Sequence, residues 1–183
     1  MSIPDKLKYK TTITNTLRDQ ISELIKNRPE PCSYLEIGCD IGYTIQYIIA
    51  TVGNNIKSIT ALDIDKIRIE NLKKRIVDDR VNCIIGKSDD LSIGWYDVIL
   101  IDADHSYEAV SKDWTNLVAK NTSNKFTVIF HDYGLKNVGV KKFINEKFKD
   151  FKLIGMKEKW NPMGGEIDDY EAAIISFERS PKE

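Results

Sequence analysis

Two histidines occur in the chain, and each is embedded among aspartates, in Asp102-Ala103-Asp104-His105 and in His131-Asp132. An imidazole titrates near pH ~6.5, so beside an orienting carboxylate it suits proton abstraction close to neutrality. A second group of reactive types lies in Leu35-Glu36-Ile37-Gly38-Cys39-Asp40-Ile41-Gly42-Tyr43-Thr44, an apolar run that ends in an acid and two glycines four positions apart. Such a strand-to-helix turn bends tightly and brings bare backbone to a nucleoside ligand. The dinucleotide fingerprint Gly-x-Gly-x-x-Gly has a different spacing, and Glu36 is expected to face the pocket and repel a pyrophosphate, so NAD and FAD are excluded. A cationic cofactor suits a carboxylate better, and the sulfonium and amino acid of S-adenosylmethionine carry that charge. An ordinary turn is the alternative for the loop alone.

The elements that must position these residues alternate along the chain. Strands are expected over 33–38, 58–63, 81–86, 96–101, 127–131, 151–156 and 172–177, and helices over 12–27, 44–52, 66–77, 106–119 and 138–149. Runs such as Val98-Ile99-Leu100-Ile101 are apolar on both faces, as buried parallel strands must be. No helix fits between the last two strands, so the final one is expected to be antiparallel. The fold class is α/β, a Rossmann-like, seven-stranded and mostly parallel sheet with helices on both faces, in one domain over 1–183 whose first thirty residues form a helical cap. In such sheets ligands bind outside the carboxyl ends of the strands. Those ends carry Glu36 and Gly38, Asp63, Lys87-Ser88-Asp89, Asp102 to His105, and His131-Asp132. A single aspartate there serves equally as a turn or helix cap; Asp65 reads as the cap of the helix from Lys66.

Composition narrows the partners. With 27 Lys and Arg against 28 Asp and Glu, formal net charge is −1, which gives no overall basic field for a nucleic acid backbone. Three cysteines without metal-ligand spacing, and an N-terminus without an apolar run, point to a reducing cytoplasmic setting. No window is apolar for long enough to span a bilayer.

The succession Glu36-x-Gly38-x-x-x-Gly42, Ala61-Leu62-Asp63-Ile64-Asp65, Gly86-Lys87-Ser88-Asp89, Asp97-Val98-Ile99-Leu100-Ile101-Asp102 and Phe130-His131-Asp132 resembles the class I S-adenosylmethionine-dependent methyltransferases. Within them it is most similar to the catechol O-methyltransferase type and to O-methyltransferases acting on sugars of glycosylated products. The resemblance covers about residues 33–180. It implies that Glu36, Gly38 and Gly42 border the methionine portion of the cofactor, that Asp63 accepts both ribose hydroxyls, and that Ser88 and Asp89 line the adenine. Cys39, Ile64 and Asp102 complete the implied cofactor-facing set.

Methyl transfer is an in-line displacement at an activated carbon, so the enzyme must align the acceptor oxygen and remove its proton. The resemblance places Asp102, His131 and Asp132 at the positions of a divalent metal site, for Mg²⁺ or another ion, and His105 at the base, with Asp102 also catalytic. His131 stands where the family has an acid, which shifts preference toward transition metals or abolishes metal binding. His105 has a second reading as a helix-capping loop residue. The segment 157–170, with Trp160-Asn161-Pro162-Met163-Gly164-Gly165, reads as a substrate loop at the active edge or as a hairpin tip. The acceptor is expected to be a small molecule or a glycan, with a second subunit as one way to complete an open cleft. The alternatives are an RNA or protein methyltransferase, or a cofactor-binding module without catalysis. An exocyclic-amine enzyme would carry Asn/Asp-Pro-Pro-Tyr where this chain has Asp102-Ala103-Asp104-His105.

Overall fold

A computed structural model of the chain describes residues 13–136, 139–156 and 170–179. Seven strands, β1 (Cys32–Ile37), β2 (Ile56–Asp63), β3 (Val81–Ile85), β4 (Val98–Ile101), β5 (Lys125–Phe130), β6 (Lys152–Ile154) and β7 (Ala172–Glu178), form one sheet in the order β3-β2-β1-β4-β5-β7-β6. The first five run parallel, and β7 lies antiparallel between β5 and β6. Helices α1 (Asn15–Lys26), α2 (Tyr43–Val52), α3 (Lys66–Arg75), α4 (Tyr107–Lys120) and α5 (Gly139–Lys147) supply the crossovers and the cap.

Side-chain alternation along the strands sorts the apolar residues into two cores. On one face Leu17, Ile21 and Ile25 of α1, Ile45 and Ile48 of α2 and Leu72 of α3 meet Tyr34, Val98 and Leu100. On the other, Val110, Trp114 and Leu117 of α4 and Phe143 of α5 meet Leu35, Ile99, Ile101 and Phe130. Helices therefore cover both faces, as continuous apolar strands require.

Observed ends differ from the expected ones by a few residues where polar side chains intervene. The strand expected from residue 96 begins at Val98, just after Asp97, whose Oδ1 accepts from Trp95 Nε1 at 2.6 Å and whose Oδ2 accepts from the backbone N of Ser33 at 2.9 Å. The helix expected to reach residue 77 stops at Arg75, and Ile76 is already extended. Asp65 does cap α3, accepting from Ile67 N at 2.8 Å. Of the expected N-terminal cap, residues 1–12 lie outside the described residues, as does 157–169 of the expected substrate loop. Among the described residues no helix is long and apolar enough to cross a membrane.

Candidate active site

The order of strands reverses between β1 and β4, and the crevice outside that switch point is where an open α/β sheet binds ligand. A cleft of about 400 Å³ lies there, walled by Ile37, Gly38, Asp63, Ile64, Ser88, Asp102 and Asp113 among others. Gly38 is required by geometry. Its φ is +86°, and a Cβ would lie 2.1 Å from the carbonyl oxygen of Asp102, so only glycine lets β1 and β4 close this tightly. Gly42, at φ +81°, starts α2 against Leu72.

Asp63 is held rigidly. Oδ2 accepts from Asp40 N and Oδ1 from Asp65 N, each at 2.9 Å, and the residue is 6% exposed. Each carboxylate oxygen has a second lone pair, so the group can still accept two hydroxyls presented from the cleft. Ile64 beside it is 64% exposed, an apolar face at the cleft wall.

The structure corrects the expectation for Glu36. Strand alternation puts it on the side of Tyr34, not in the cleft wall, and Oε2 accepts from the Tyr34 hydroxyl at 3.0 Å. Burial pushes its pKa up to about 8, with the Tyr34 hydrogen bond opposing, so the carboxyl is neutral at pH 7. Repulsion of a pyrophosphate by Glu36 therefore has no support. Cys39, Gly42 and Asp89 likewise stand outside the cleft wall; Cys39 is buried, and Asp89 is bridged by Lys112 Nζ at 2.6 Å and Asn116 Nδ2 at 2.7 Å. Strand-end reasoning missed Arg68, Lys112 and Asp113, which reach the cleft from helices.

At the ends of β4 and β5 the two histidines and their aspartates meet. Nε2 of His105 lies 2.5 Å from Asp132 Oδ2 and 3.8 Å from Asp102 Oδ1. Asp102 and Asp132 together raise the His105 pKa to about 9, above the neutral range expected for it. Helix α4 is capped by Ser106, whose Oγ accepts from Ala109 N at 3.2 Å, which removes the capping reading of His105. Asp132 adopts a positive φ of 60°, a strained backbone at the site.

His131 does not stand as a metal ligand. It is fully buried, with Nδ1 2.8 Å from Asp102 Oδ1 and 3.2 Å from Asp132 Oδ1, and Nε2 3.1 Å from Glu171 Oε1. Burial opposes its charge, but Asp102 and Asp132 more than reverse this and keep the ring an imidazolium, with both nitrogens donating. The side chains that can share one ion are instead Asp102, His105 and Asp132, whose ligand atoms lie within 4.8 Å of one another. Their oxygen and nitrogen donors suit a divalent metal.

Glu171 joins this site to the cap. Its carboxylate accepts from Thr14 N at 2.8 Å and from Thr14 Oγ1 at 2.5 Å while facing His131. Register brings it there: β7 pairs Ala173 with Phe130, so the residue before β7 falls beside the turn after β5.

The fold and cleft define the class I S-adenosylmethionine-dependent methyltransferase architecture. Residues 35–133 match the family described as a methyltransferase domain, and the chain belongs to that family. A malonyl-[acyl-carrier protein] O-methyltransferase of Priestia megaterium is 34% identical over 93 residues, covering 50% of this chain and 32% of that protein. The chain thus spans about a third of the length of this curated relative. Among solved structures, a candidate O-methyltransferase of Klebsiella pneumoniae aligns with TM-score 0.70 at 14% identity, over 98% of this chain and 92% of the other. A candidate rRNA methylase of Clostridium thermocellum gives 0.66 at 15% over 93% and 100%, and an S-adenosylmethionine-dependent O-methyltransferase of Thermotoga maritima 0.62 at 12% over 93% and 68%. At such identities these likenesses concern the fold.

Proposed function

We propose that this chain transfers the methyl group of S-adenosylmethionine to a hydroxyl of a small molecule or glycan, with His105 as the base. The observation that carries the reading is the His105–Asp132 contact at 2.5 Å beside Asp102, the member of the group that lines the cleft at the strand switch point. When bound, the cofactor supplies a methyl carbon activated by sulfonium. Asp63 anchors its ribose through the remaining carboxylate lone pairs, and Gly38 lets it approach the backbone. Asp132 fixes His105 through Nε2, which turns the imidazole so that Nδ1 takes the acceptor's proton. His131 orients Asp102 from below, and Asp102 aligns the acceptor hydroxyl.

A second reading is favoured by the convergence of Asp102, His105 and Asp132, which would hold a divalent ion that polarises the acceptor oxygen. In that arrangement His105 is a ligand, and the hydroxyl loses its proton directly to solvent or to a carboxylate. The free thiols Cys32, Cys39 and Cys83 support a reducing, cytoplasmic setting.

Calorimetry tests the cofactor assignment. S-adenosylhomocysteine should bind, and Asp63→Ala should weaken it by roughly 1–3 kcal/mol, the scale of charge-assisted hydrogen bonds. Absence of heat with both S-adenosylmethionine and S-adenosylhomocysteine would sink the reading. Transfer of labelled methyl to a panel of catechols, sugars and glycosides would then identify the acceptor.

A further inference from the structure

The connection after β5 grips the segment that carries His105 at two places. One is a side-chain contact: Asp132, in its left-handed backbone conformation, brings Oδ2 to 2.5 Å from His105 Nε2. The other is made by backbone, where the N–H of Gly139, the first residue of α5, donates to the carbonyl oxygen of His105 at 2.7 Å. The chains pass so close here that no side chain fits. A Cβ on Gly139 would lie 2.6 Å from the carbonyl carbon of Ser106 and closer still to the backbone N and Cα of Tyr107. Those are main-chain atoms at the start of α4, which cannot turn aside as the end of a flexible side chain would. Beside this crossing α5 is seated on Tyr107. The Phe143 ring stands edge-on to it with centroids 6.0 Å apart, Glu146 Oε2 accepts from its hydroxyl at 2.9 Å, and Lys142 Nζ lies 5.1 Å from its ring centre. Val140 of α5 is buried in the same apolar cluster as Val110 of α4.

We propose that Gly139 is a positioning residue: by letting α5 start against the backbone of Ser106 and Tyr107, it fixes the main chain of His105 and so the place from which the imidazole meets Asp132 and the acceptor. The inference rests on the reading of His105 as the base given above. Gly139 is not among the residues that wall the cleft, so its effect passes through His105. A backbone bond from a packed helix lends the rigidity of that helix to the loop residue it holds, and a reacting group must be held to within a fraction of an ångström. If α5 moved to admit a methyl group at Gly139, its N–H would leave the His105 carbonyl, and the ring would be tethered through its side chain alone.

The chain has two histidines, so nitrogen NMR can follow the rings of His105 and of the fully buried His131 separately, with His105→Ala assigning the signals. In Gly139→Ala the His105 ring signals should shift or broaden as its contact with Asp132 loosens, while those of His131 hold. Calorimetry should find S-adenosylhomocysteine affinity unchanged, and kcat on an acceptor identified with labelled methyl should fall about 10²-fold. A glycine needed for packing alone would lower the thermal midpoint without moving one ring selectively. Unmoved His105 signals in folded Gly139→Ala, or equal movement of both rings, would overturn the assignment, as would an unchanged kcat where His105→Ala is slow. Thermal unfolding reports whether the variant is folded. If it is not, Val140→Ala loosens the seat of α5 without a clash and should move the His105 signals in the same selective way; their constancy there would equally overturn the proposal. If His105→Ala keeps full turnover, the base reading fails, and the ring signals still decide whether Gly139 places the imidazole.

Discussion

Charge at the ends of β4 and β5 is arranged so that every histidine has a carboxylate partner, and this decides what single substitutions will do. His105→Ala removes the group proposed as the base, so turnover should fall about 10²–10⁴-fold while cofactor affinity measured by calorimetry stays unchanged. Because Asp102 and Asp132 raise its pKa to about 9, the neutral, proton-accepting ring becomes populated only as pH rises, and turnover should climb toward that value. Glu36 gives a separate pH effect, on stability. Its folded pKa of about 8 exceeds its ordinary 4.5, so the stabilisation is complete below about 4.5 and is lost as pH rises through about 8. The slope in that window is at most about 1.4 kcal/mol per pH unit. Glu36→Gln keeps an oxygen for the Tyr34 hydroxyl and should flatten the slope, as urea unfolding at several pH values would reveal. The positions of Asp63, Asp102 and His105 were legible beforehand, because each lies at or just beyond the end of an apolar strand. The direction of Glu36 was legible too, had the period-two alternation from Tyr34 been weighed above its place in the loop. Asp113 was not, since it sits in the middle of a helix and only the wheel position shared with Ala109 and Lys112 turns it toward the cleft.

Among the elements, α1 is tied to the sheet by more than its apolar stripe. Its capping residue Thr14 gives both its backbone N–H and its hydroxyl to Glu171, and Glu171 also faces the buried His131 imidazolium. Removing one partner of a buried ion pair typically costs about 3–5 kcal/mol. Glu171→Ala should therefore destabilise the fold on that scale in denaturant unfolding. Hydrogen exchange should find α1 and the turn after β5 loosened together, whereas loss of a cap alone would affect α1 only. The helix–strand alternation made these elements readable from periodicity, and the short run 152–154 was readable as a strand from its neighbours. The pairing of Glu171 with His131 was not readable. It depends on the antiparallel register of β7 against β5, a long-range match that residue types 40 positions apart do not announce.

For the molecule as a whole, the question is whether its site works with or without an ion. Chelator-treated protein should be inactive and regain turnover with Mg²⁺, Mn²⁺ or another divalent ion if Asp102, His105 and Asp132 hold a metal. Unchanged turnover would leave the histidine base as the working arrangement. The position of β7 bears on how such a molecule is made. Among the described residues it is the one strand paired with β6 and the outer neighbour of β5, yet it follows both in the chain. During synthesis the ribosome thus releases β5 with one bare edge and β6 with no sheet to join, and both wait for residues 172–178 to emerge. Until then His131 also lacks Glu171, so a nascent chain holding β1 to β5 still has an unfinished cluster at the ends of β4 and β5. A stop codon shortly before residue 171 would leave two exposed strand edges and a buried histidine short of its counter-charge, which makes such a fragment a substrate for chaperones and proteases.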